Sequence, residues 1–439
     1  MIKIEDYFPR FGVNKKREIE RLIFEISKKE KISPCKLLLS IKDFDYEKAK
    51  LALLKKRYSK TFRDYPDIAL SSFYLPQYKI DKNLQAATNP SQFYPKRIYH
   101  TSKARLTKTF ENAKNLFPFS NFIEIESLKS FQKGKNFNIK NYNERLQNLF
   151  LIDEQYDFFK KCPCTSNAVG CGYSIMNIGM GCLYECAYCF LQGYQNISGI
   201  VIPCNIDDYL TDEKILSLQN VKTFFNYKRI GSGEFTDSLV FDNITGFSKE
   251  IVEFFKNKKE IYFEFKTKSV NIENLIEAGG TKNIVCAWSL NSIQMQKENE
   301  FKTPSILERL NAAKKIVEAG FSVAFHFDPI IFYENWRGGY KEVVDMLFDI
   351  IPQESIKWIS LGSLRMPAEL KKTIENRFPE NKIMDEEFLL GKDYKLRYAD
   401  NIRIEMFDYM NKIIKSKKSK AIVYLCMEDK SIWETTFKV

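Results

Sequence analysis

The chain has 439 residues, of which 44% are hydrophobic and 28% charged, so it can bury a large core in about two or three structural units. Its 68 lysine and arginine residues outweigh 56 aspartate and glutamate residues, and the net charge of +12 is compatible with a polyanionic partner or with ordinary solvated faces. No apolar run approaches the roughly 20 residues that cross a bilayer, and the opening MIKIEDYFPRFG is unlike a secretory signal, so we expect a cytoplasmic protein without a membrane partner.

The N-terminal part of the chain is predicted to be helical and then irregular. Residues 1 to about 60 place Ile19, Leu22, Ile23 and Ile26 on one helical stripe. A segment with several prolines and tyrosines follows and is predicted to be a poorly regular connection. The sequence KRIYHTSKARLTKTFENAKNLFPFSNFIEIES then predicts a strand, a helix and a strand. We assign residues 1–95 to a helical extension and connector, and residues 96–165 to a small α/β subdomain.

From Tyr173 onward, strand-like runs alternate with amphipathic helical segments. The strand-like runs are YSIMNIG, TFFNYKRIGSG, IYFEFKTK, IVCAWSLN, SVAFHFDPII and IKWISLGSLR. One intervening segment, PSILERLNAAKKIVEAG, has a proline at its start and a glycine at its end, as helices often do. Six βα units imply a parallel sheet that right-handed crossovers curl toward a barrel. We predict an α/β fold in which residues 166–439 form a partial (β/α)6 barrel of the TIM type, followed by a C-terminal strand and a short helix.

In such a sheet the active site lies at the carboxyl ends of the strands. The residues predicted there are small, polar or able to bind a metal: Gly179 to Cys182, Gly231 to Asp237, Lys268, Ser289, Asn291, Asp328 and Arg365. Loops after strands are polar in any case, so this agreement supports a site without identifying its chemistry.

The cysteines are unevenly distributed, since seven of the ten lie between Cys162 and Cys204. Clustered cysteines in a reducing compartment favour metal or redox chemistry over disulfides, and with only two histidines in the chain the ligands must be mainly thiolates. Cys182, Cys186 and Cys189 form a C-x3-C-x2-C pattern directly after the first strand of the barrel. A structural zinc site and a cubane iron–sulfur cluster each need four ligands. Three thiolates on a cubane therefore leave one iron open to a small chelator.

This pattern resembles the radical S-adenosylmethionine superfamily. The resemblance implies that the three cysteines hold a [4Fe–4S] cluster whose open iron binds S-adenosylmethionine, and that an electron from the cluster cleaves this cofactor to a 5′-deoxyadenosyl radical. The turn GSGE after the second strand is similar to the superfamily's GGE motif, although a glycine turn and a solvated lysine are each ordinary features on their own. The candidate contacts to the cofactor are Gly231, Gly233, Glu234, Lys268, Ser289 and Asn291.

Longer stretches narrow the resemblance to the spore photoproduct lyase family. They include CAYCFLQ, EFTDSLVFDNITGFS, FKTKS, ENWRGGY and VYLCMEDKSIWETTF, and the likeness extends over about residues 96–439. The resemblance implies a small α/β unit on a partial (β/α)6 barrel, a DNA substrate, and a flavodoxin or ferredoxin as electron donor. In that family the adenosyl radical splits a thymine dimer in spore DNA, and a hydrogen atom is then returned.

The sequence departs from the family at positions that act on the lesion. Glu234 stands where the family carries a hydrogen-donating cysteine, just before its TSD element. The tyrosine expected after the last cluster cysteine is Phe190, although Tyr188 is kept. The arginine expected before GY is Gly338, with Arg337 one place earlier. We therefore expect a paralogue of the lyase that lacks the catalytic cysteine.

Other cysteines are candidates for chemistry or for packing. Cys204 and Cys286 are, with Tyr188, the candidate hydrogen-transfer residues, but each cysteine could equally be a small buried side chain. The segment CPCTSNAVGC has a spacing that matches no standard zinc module. Its cysteines could bind a second metal or iron–sulfur cluster, with a fourth ligand such as Cys204, or could cover the first cluster as a lid; they are Cys162, Cys164 and Cys171.

The resulting hypothesis is a radical S-adenosylmethionine enzyme with lyase-like chemistry that acts on nucleic acid, with DNA favoured. The candidate substrate residues are Asp237, Asp328, Arg337, Tyr340 and Arg365. Two alternatives stay open: radical chemistry on RNA, a peptide or a small molecule, and a nucleic-acid-binding protein whose cluster is structural or redox-sensing. The GSGE turn and Lys268 disfavour the second alternative, because a structural cluster needs no clamp for a cofactor.

Overall fold

The computed structural model describes residues 7–41, 45–75, 79–90, 92–153, 159–165, 168–218 and 224–438. These residues form two compact units. The first combines the chain up to Gln85 with Ser363–Arg403, and the second combines Ala86–Gly362 with the residues from Ile404 onward. No helix in the described part of the chain is long and apolar enough to cross a membrane.

The strands and helices alternate along most of the second unit. In chain order the strands are β1 (Arg97–His100), β2 (Asn121–Glu124), β3 (Asn148–Ile152), β4 (Phe159–Lys161), β5 (Tyr173–Met176), β6 (Glu185–Cys186), β7 (Ile200–Pro203), β8 (Lys228–Ser232), β9 (Ile261–Thr267), β10 (Ile284–Ser289), β11 (Glu300–Phe301), β12 (Ser322–Ile330), β13 (Ile356–Ser363), β14 (Arg365–Pro367), β15 (Phe388–Leu390), β16 (Lys395–Tyr398) and β17 (Ile422–Leu425). The α-helices are Val13–Glu30, Pro34–Leu39, Tyr46–Arg57, Ser59–Asp64, Lys108–Leu116, Leu128–Gln132, Ile139–Asn143, Leu191–Tyr194, Asp212–Ser217, Asp242–Thr245, Phe247–Phe255, Glu273–Ala278, Ile293–Asn299, Ile306–Glu318, Trp336–Ile350, Ala368–Arg377, Asp400–Ser416 and Lys430–Phe437.

Eight strands form a curled sheet in the order β17-β13-β12-β10-β9-β8-β5-β4. The pairings from β5 to β12 are parallel, as is that of β13 with β17, whereas β4 pairs antiparallel with β5 at one edge. Six of these strands are the six predicted from the sequence, and the predicted α/β fold with a partial barrel is confirmed. The helix Ile306–Glu318 begins at a capping box between Ser305 and Glu308, as the sequence pattern of that segment predicts.

The inner face of this sheet combines an apolar cluster with a buried ionic network. Glu264 accepts a hydrogen bond from Arg229 Nη2 at 2.8 Å and lies 2.5 Å from His326 Nε2. The other nitrogen of the His326 ring is 2.5 Å from Ser360 Oγ. Burial lowers the pKa of His326. These contacts tie β8, β9, β12 and β13 together across the inner face.

A second, smaller sheet in the same unit has the order β2-β1-β3-β7, and all of its pairings are parallel. The predicted strand, helix and strand are present as β1, Lys108–Leu116 and β2. Sequence reasoning did not predict that β7, which follows the cysteine loop, would join this sheet beside β3 through the pair Leu149 and Ile200. The cysteine loop therefore begins at a strand of the barrel and ends at a strand of the small sheet.

The first unit packs its N-terminal helices around a separate core. The predicted stripe of Ile19, Leu22, Ile23 and Ile26 is buried in that core. Residues 363–403, which lie within the predicted barrel domain in sequence, belong to this unit and form the antiparallel sheet β14-β16-β15.

Candidate active site

The loop with the C-x3-C-x2-C pattern follows β5 at the carboxyl end of the barrel sheet. Cys186 lies in β6, where it pairs with Glu300 of β11, and the Cys189 amide donates to the Cys186 carbonyl at 3.0 Å. Burial raises the pKa of the Cys182 thiol, and the nearby charges of Asp237, Cys189 and Cys186 raise it further. The three thiols therefore form one group, and none of the ten cysteines, all of which are described, is in a disulfide.

The donor set of this loop fits a metal cluster that takes thiolates. Burial raises the pKa of the Cys186 thiol to about 12, against the opposing charge of Lys268. A thiol with so high a pKa stays protonated near neutral pH, so a metal must displace the protons when it binds. Within the described residues, no three His, Cys, Asp or Glu side chains surround one point as ligands of a single ion would.

A buried arginine holds the cysteine loop from the side of the small sheet. Arg145 lies just before β3 and is fully buried. It donates to Glu185 Oε1 at 2.7 Å and to the Tyr142 carbonyl at 3.2 Å. Its other nitrogens donate to the carbonyls of Cys182, at 3.2 Å, and Tyr184, at 2.9 Å. Because a guanidinium presents its donors in a rigid fork, these bonds fix the first turn of the loop.

A second buried arginine acts on the loop through Glu300. Glu300 accepts hydrogen bonds from Arg309 Nη2 at 2.6 Å and from the Tyr188 hydroxyl. Arg309 also donates to the Ser289 carbonyl at 2.8 Å, so it joins the loop to the end of β10. Burial favours the neutral Glu300 carboxyl, but Arg309 and Lys268 outweigh burial and lower its pKa. The Tyr188 hydroxyl is thus held on a carboxylate beside the cluster cysteines.

The end of β8 is made of glycines because no side chain would fit there. A Cβ on Gly231 would lie 2.1 Å from Tyr173 Oη. Gly233 has a φ of +102°, a backbone conformation that other residues rarely adopt, and a Cβ there would lie 2.9 Å from a carbonyl of β9. The Gly181 amide donates to the Phe235 carbonyl at 2.8 Å, so this turn is bonded to the start of the cysteine loop. The bare backbone of this turn therefore packs closely against β5 and β9 and lies beside the start of the cysteine loop.

Glu234, the last residue of the GSGE turn, is ion-paired within the protein. Its carboxylate lies 2.6 Å from Lys160 Nζ of the edge strand β4, and 12% of its side chain is exposed. The Lys160 ammonium also lies 4.3 Å from the centroid of the Phe235 ring. An ammonium group of a cofactor can bind Glu234 only by sharing the carboxylate with Lys160 or by displacing it.

The ends of β9 and β10 lie side by side, since Thr267 pairs with Trp288. Lys268 directly follows β9, and its Nζ is 5.6 Å from the centroid of the Tyr188 ring. Burial disfavours its charge, but Cys186 and Glu300 outweigh burial and raise the pKa of Lys268 above its ordinary value. A cation is thus held beside the cysteine loop, at the end of the strand next to the one that carries Ser289.

Three of the predicted binding residues make hydrogen bonds within the protein near the strand ends. Asp237 accepts hydrogen bonds from the Thr267 hydroxyl at 2.6 Å and from the Lys268 amide at 2.7 Å. Asn291 is fully buried, and its Oδ1 accepts a hydrogen bond from the Tyr340 hydroxyl at 2.6 Å. The Tyr340 hydroxyl in turn accepts one from the Ile331 amide at 2.7 Å. Asp237, Asn291 and Tyr340 therefore position the strand ends around the site through hydrogen bonds to other protein groups.

The remaining predicted substrate residues are Arg337, Asp328 and Arg365, and the first two belong to the second unit. Arg337 is exposed on the helix Trp336–Ile350, where it pairs with Glu405. Asp328 is half-buried near the carboxyl end of β12. Arg365 belongs to the first unit, where its Nη1 donates to the Ser363 carbonyl at 3.0 Å.

The structure places the two candidate hydrogen-donating cysteines away from the cysteine loop. Cys286 lies on β10 between Val285 and Ala287, whose side chains belong to the inner apolar cluster with Trp358. Since side chains alternate along a strand, Cys286 lies on the opposite, outer face. Cys204 follows β7 in the small sheet. Of the three candidates for hydrogen transfer, Tyr188 is the one that the structure brings to the cysteine loop.

Sequence reasoning missed the residues that hold the loop in place. Arg145, Glu300 and Arg309 are far apart in sequence and each is indistinguishable from a solvated charge there. The signal that could have drawn attention to Glu300 and Arg309 is their position on either side of a helix start, since Glu300 lies in β11 and Arg309 lies in the first turn of the helix Ile306–Glu318. Nothing local in the sequence marks Arg145.

A curled parallel sheet with a three-cysteine loop after its first parallel strand defines the class of radical S-adenosylmethionine proteins. A family model described as "Spore photoproduct lyase" matches residues 164–425, which is more than half of the chain. The chain belongs to the spore photoproduct lyase family.

Individual lyases are distant relatives of this chain. The spore photoproduct lyase of Clostridium acetobutylicum is 25% identical over 266 residues, which cover 60% of this chain and 72% of the relative. That of Bacillus subtilis is 25% identical over 281 residues, which cover 60% and 77%. A solved structure of spore photoproduct lyase complexed with dinucleoside spore photoproduct has a TM-score of 0.63 and 22% identity, and the match covers 76% of this chain and 99% of the other. A lyase mutant with bound AdoMet and the same dinucleoside has a TM-score of 0.62. These structures share the fold of this chain.

Proposed function

We propose that this protein is a radical S-adenosylmethionine enzyme, with a [4Fe–4S] cluster held by Cys182, Cys186 and Cys189. The observation that carries the proposal is that the three thiols form one group beside a cation, Lys268, and beside the bare backbone at the end of β8. When bound, the cluster supplies the electron that cleaves S-adenosylmethionine to a 5′-deoxyadenosyl radical.

The residues around the thiols fit the polar groups of the cofactor. Lys268 offers a positive charge to a carboxylate, and the turn from Gly231 to Gly233 offers backbone groups beside the start of the cysteine loop. Glu234 offers a carboxylate to an ammonium group, in competition with Lys160. Ser289 adds a hydroxyl to the same rim and is nearly buried there. A structural or redox-sensing cluster would need none of these groups.

For the substrate, we propose nucleic acid, with DNA favoured. The net charge of +12 and the sequence pI of about 9.0 suit a polyanionic partner. Membership of the spore photoproduct lyase family and the dinucleoside lesion bound by a solved lyase point to the same chemical class. An electron donor such as flavodoxin or ferredoxin is part of this proposal.

We further propose that the radical is used for a reaction other than the repair of the spore photoproduct. A carboxylate cannot donate a hydrogen atom as a thiol can, and Glu234 stands where the family's donating cysteine is expected. Cys204 and Cys286, the other cysteines considered for that role, lie in the small sheet and on the outer face of the barrel sheet. Tyr188, whose hydroxyl is held by Glu300, is the candidate that remains beside the cofactor site.

The first test is the cleavage of the cofactor. The protein is reconstituted anaerobically with iron and sulfide, reduced with dithionite and incubated with S-adenosylmethionine, and 5′-deoxyadenosine is measured by chromatography. We expect product from the unchanged protein and none from C186A. If a protein with an intact cluster releases no 5′-deoxyadenosine, the enzymatic proposal is wrong.

The second test is the fate of the DNA lesion. DNA that contains spore photoproduct should yield no thymine above the level of C186A when the unchanged protein is used. Glu234→Cys restores a thiol at the departure and should produce thymine, whereas the matched Glu234→Ser variant, which also frees Lys160, should not. Thymine production by the unchanged protein would show that Glu234 is no obstacle to repair and would overturn the proposed difference from the lyase.

A further inference from the structure

The structure brings a second set of thiols together at the amino end of β5. The Cys162 amide donates to the Tyr173 carbonyl at 3.0 Å, which continues the antiparallel pairing of β4 with β5. The Cys164 amide then donates to the Cys162 carbonyl at 2.8 Å, and the two thiols are hydrogen-bonded. Cys171 directly precedes Gly172 and β5 on the same side. Three thiols thus lie where the chain enters the first parallel strand.

A fourth thiol arrives from the other edge of the sheet. Cys426 directly follows β17, and its amide donates to the Leu361 carbonyl at 2.7 Å. The residues just after Cys426 bond to the segment that holds Cys162, Cys164 and Cys171, because the Val169 amide donates to the Glu428 carbonyl at 2.9 Å. The charges of Cys164, Cys426 and Cys171 all act on Cys162. Cys426 is therefore the candidate fourth ligand, in place of Cys204, which the sequence suggested and which directly follows β7.

A buried donor beside these thiols has no hydrogen-bond partner for two of its nitrogens. Arg229 is 1% exposed and uses Nη2 for Glu264 and Tyr424, while its Nε and Nη1 have no partner in the described structure. The Arg229 charge acts on Cys171. Buried donors without a partner are rare in proteins, and the sulfur atoms of a metal centre would accept from Arg229.

We propose that Cys162, Cys164, Cys171 and Cys426 ligate a second metal centre, a [4Fe–4S] cluster, and that Arg229 donates hydrogen bonds to its sulfur atoms. Four thiolates around a core of charge +2 leave a net charge of about −2, and the buried guanidinium of Arg229 offsets part of it. The four residues of β5 separate this centre from the C-x3-C-x2-C loop by about 13 Å of strand, at about 3.3 Å per residue. The two centres are therefore distinct.

The test measures the metal content of the protein after the three cysteines of the C-x3-C-x2-C loop have been replaced. The full-length variant C182A/C186A/C189A keeps the second set of thiols intact. It is reconstituted anaerobically with iron and sulfide in one arm and with zinc in the other, and it is then freed of loosely bound metal. Iron, sulfide and zinc per chain are measured on material whose tryptophan emission matches that of the unchanged protein.

We expect this variant to retain about four irons and four sulfides per chain. Adding C426A should remove that metal, whereas the matched addition of C204A should leave it in place. If the folded triple variant holds no iron with sulfide, if it retains zinc alone, or if C426A and C204A retain equal amounts of iron, the proposal is wrong.

Discussion

Replacement of Arg145 tests whether the cysteine loop depends on a buried clamp. Arg145→Met keeps much of the apolar stem and removes the guanidinium that bonds to Glu185 and to three carbonyls. The side chains of Arg145 and Glu185 are 0% and 4% exposed, and removal of one partner from so buried a pair costs about 3–5 kcal/mol. We expect a loss of about 3 kcal/mol or more in the free energy of unfolding of the second unit.

Tryptophan emission during urea unfolding measures this unit selectively, because all four tryptophans, at positions 288, 336, 358 and 433, belong to it. The double variant R145M/E185Q should recover about 2 kcal/mol of the loss, since it removes the buried carboxylate left without its arginine. As a control, R105M alters an arginine whose side chain is 65% exposed, and it should change stability by less than about 0.5 kcal/mol. A loss for R145M no larger than that of R105M would refute the clamp.

Three further changes test other parts of the second unit. Burial and a neighbouring carboxylate raise the pKa of Glu250 from 4.5 to about 7, so its ionisation destabilises the fold as pH rises through that range. In urea titrations, Glu250→Gln should therefore add about 1 kcal/mol to the free energy of unfolding above pH 7, allowing for partial exposure, and nothing below pH 4.5. Gly231→Ala puts a Cβ 2.1 Å from Tyr173 Oη and should cost about 1–3 kcal/mol, whereas Gly193→Ala, with nothing within 4 Å, should be neutral in the same assay. Lys268→Met should weaken S-adenosylmethionine binding at least about tenfold in equilibrium dialysis without loss of iron.

The barrel was predictable because its strands have local signatures. Short strand-like runs separated by helical segments marked the six predicted strands of the barrel sheet, and the helix between β11 and β12 is flanked by a proline and a glycine. The return of β7 to the small sheet was not predictable, since its four residues are all buried and a short apolar run does not indicate which sheet it joins. The same limit applies to residues 363–403, whose membership of the first unit depends on contacts distant in sequence.

In the candidate site, the cluster cysteines could be predicted from the sequence, but the residues that support them could not. A cluster that takes three thiolates from one turn requires them at short, regular intervals, so Cys182, Cys186 and Cys189 can be recognised from spacing alone. The groups that support those ligands face no such restriction, because any chain segment that folds alongside can supply them. Arg145 precedes β3 and has no local pattern that marks its contact with the cysteine loop.

The closely spaced cysteines therefore support the proposed cofactor more directly than any residue supports a particular substrate. Two of the candidate cofactor residues, Lys268 and Ser289, stand at the adjoining ends of β9 and β10. The proposed change of reaction depends instead on the departures from the family, of which Glu234 is the first. Its carboxylate is ion-paired with Lys160 of the edge strand β4. A residue that stands in place of a hydrogen donor and already has a partner supports the proposed change of role more strongly than its identity alone would.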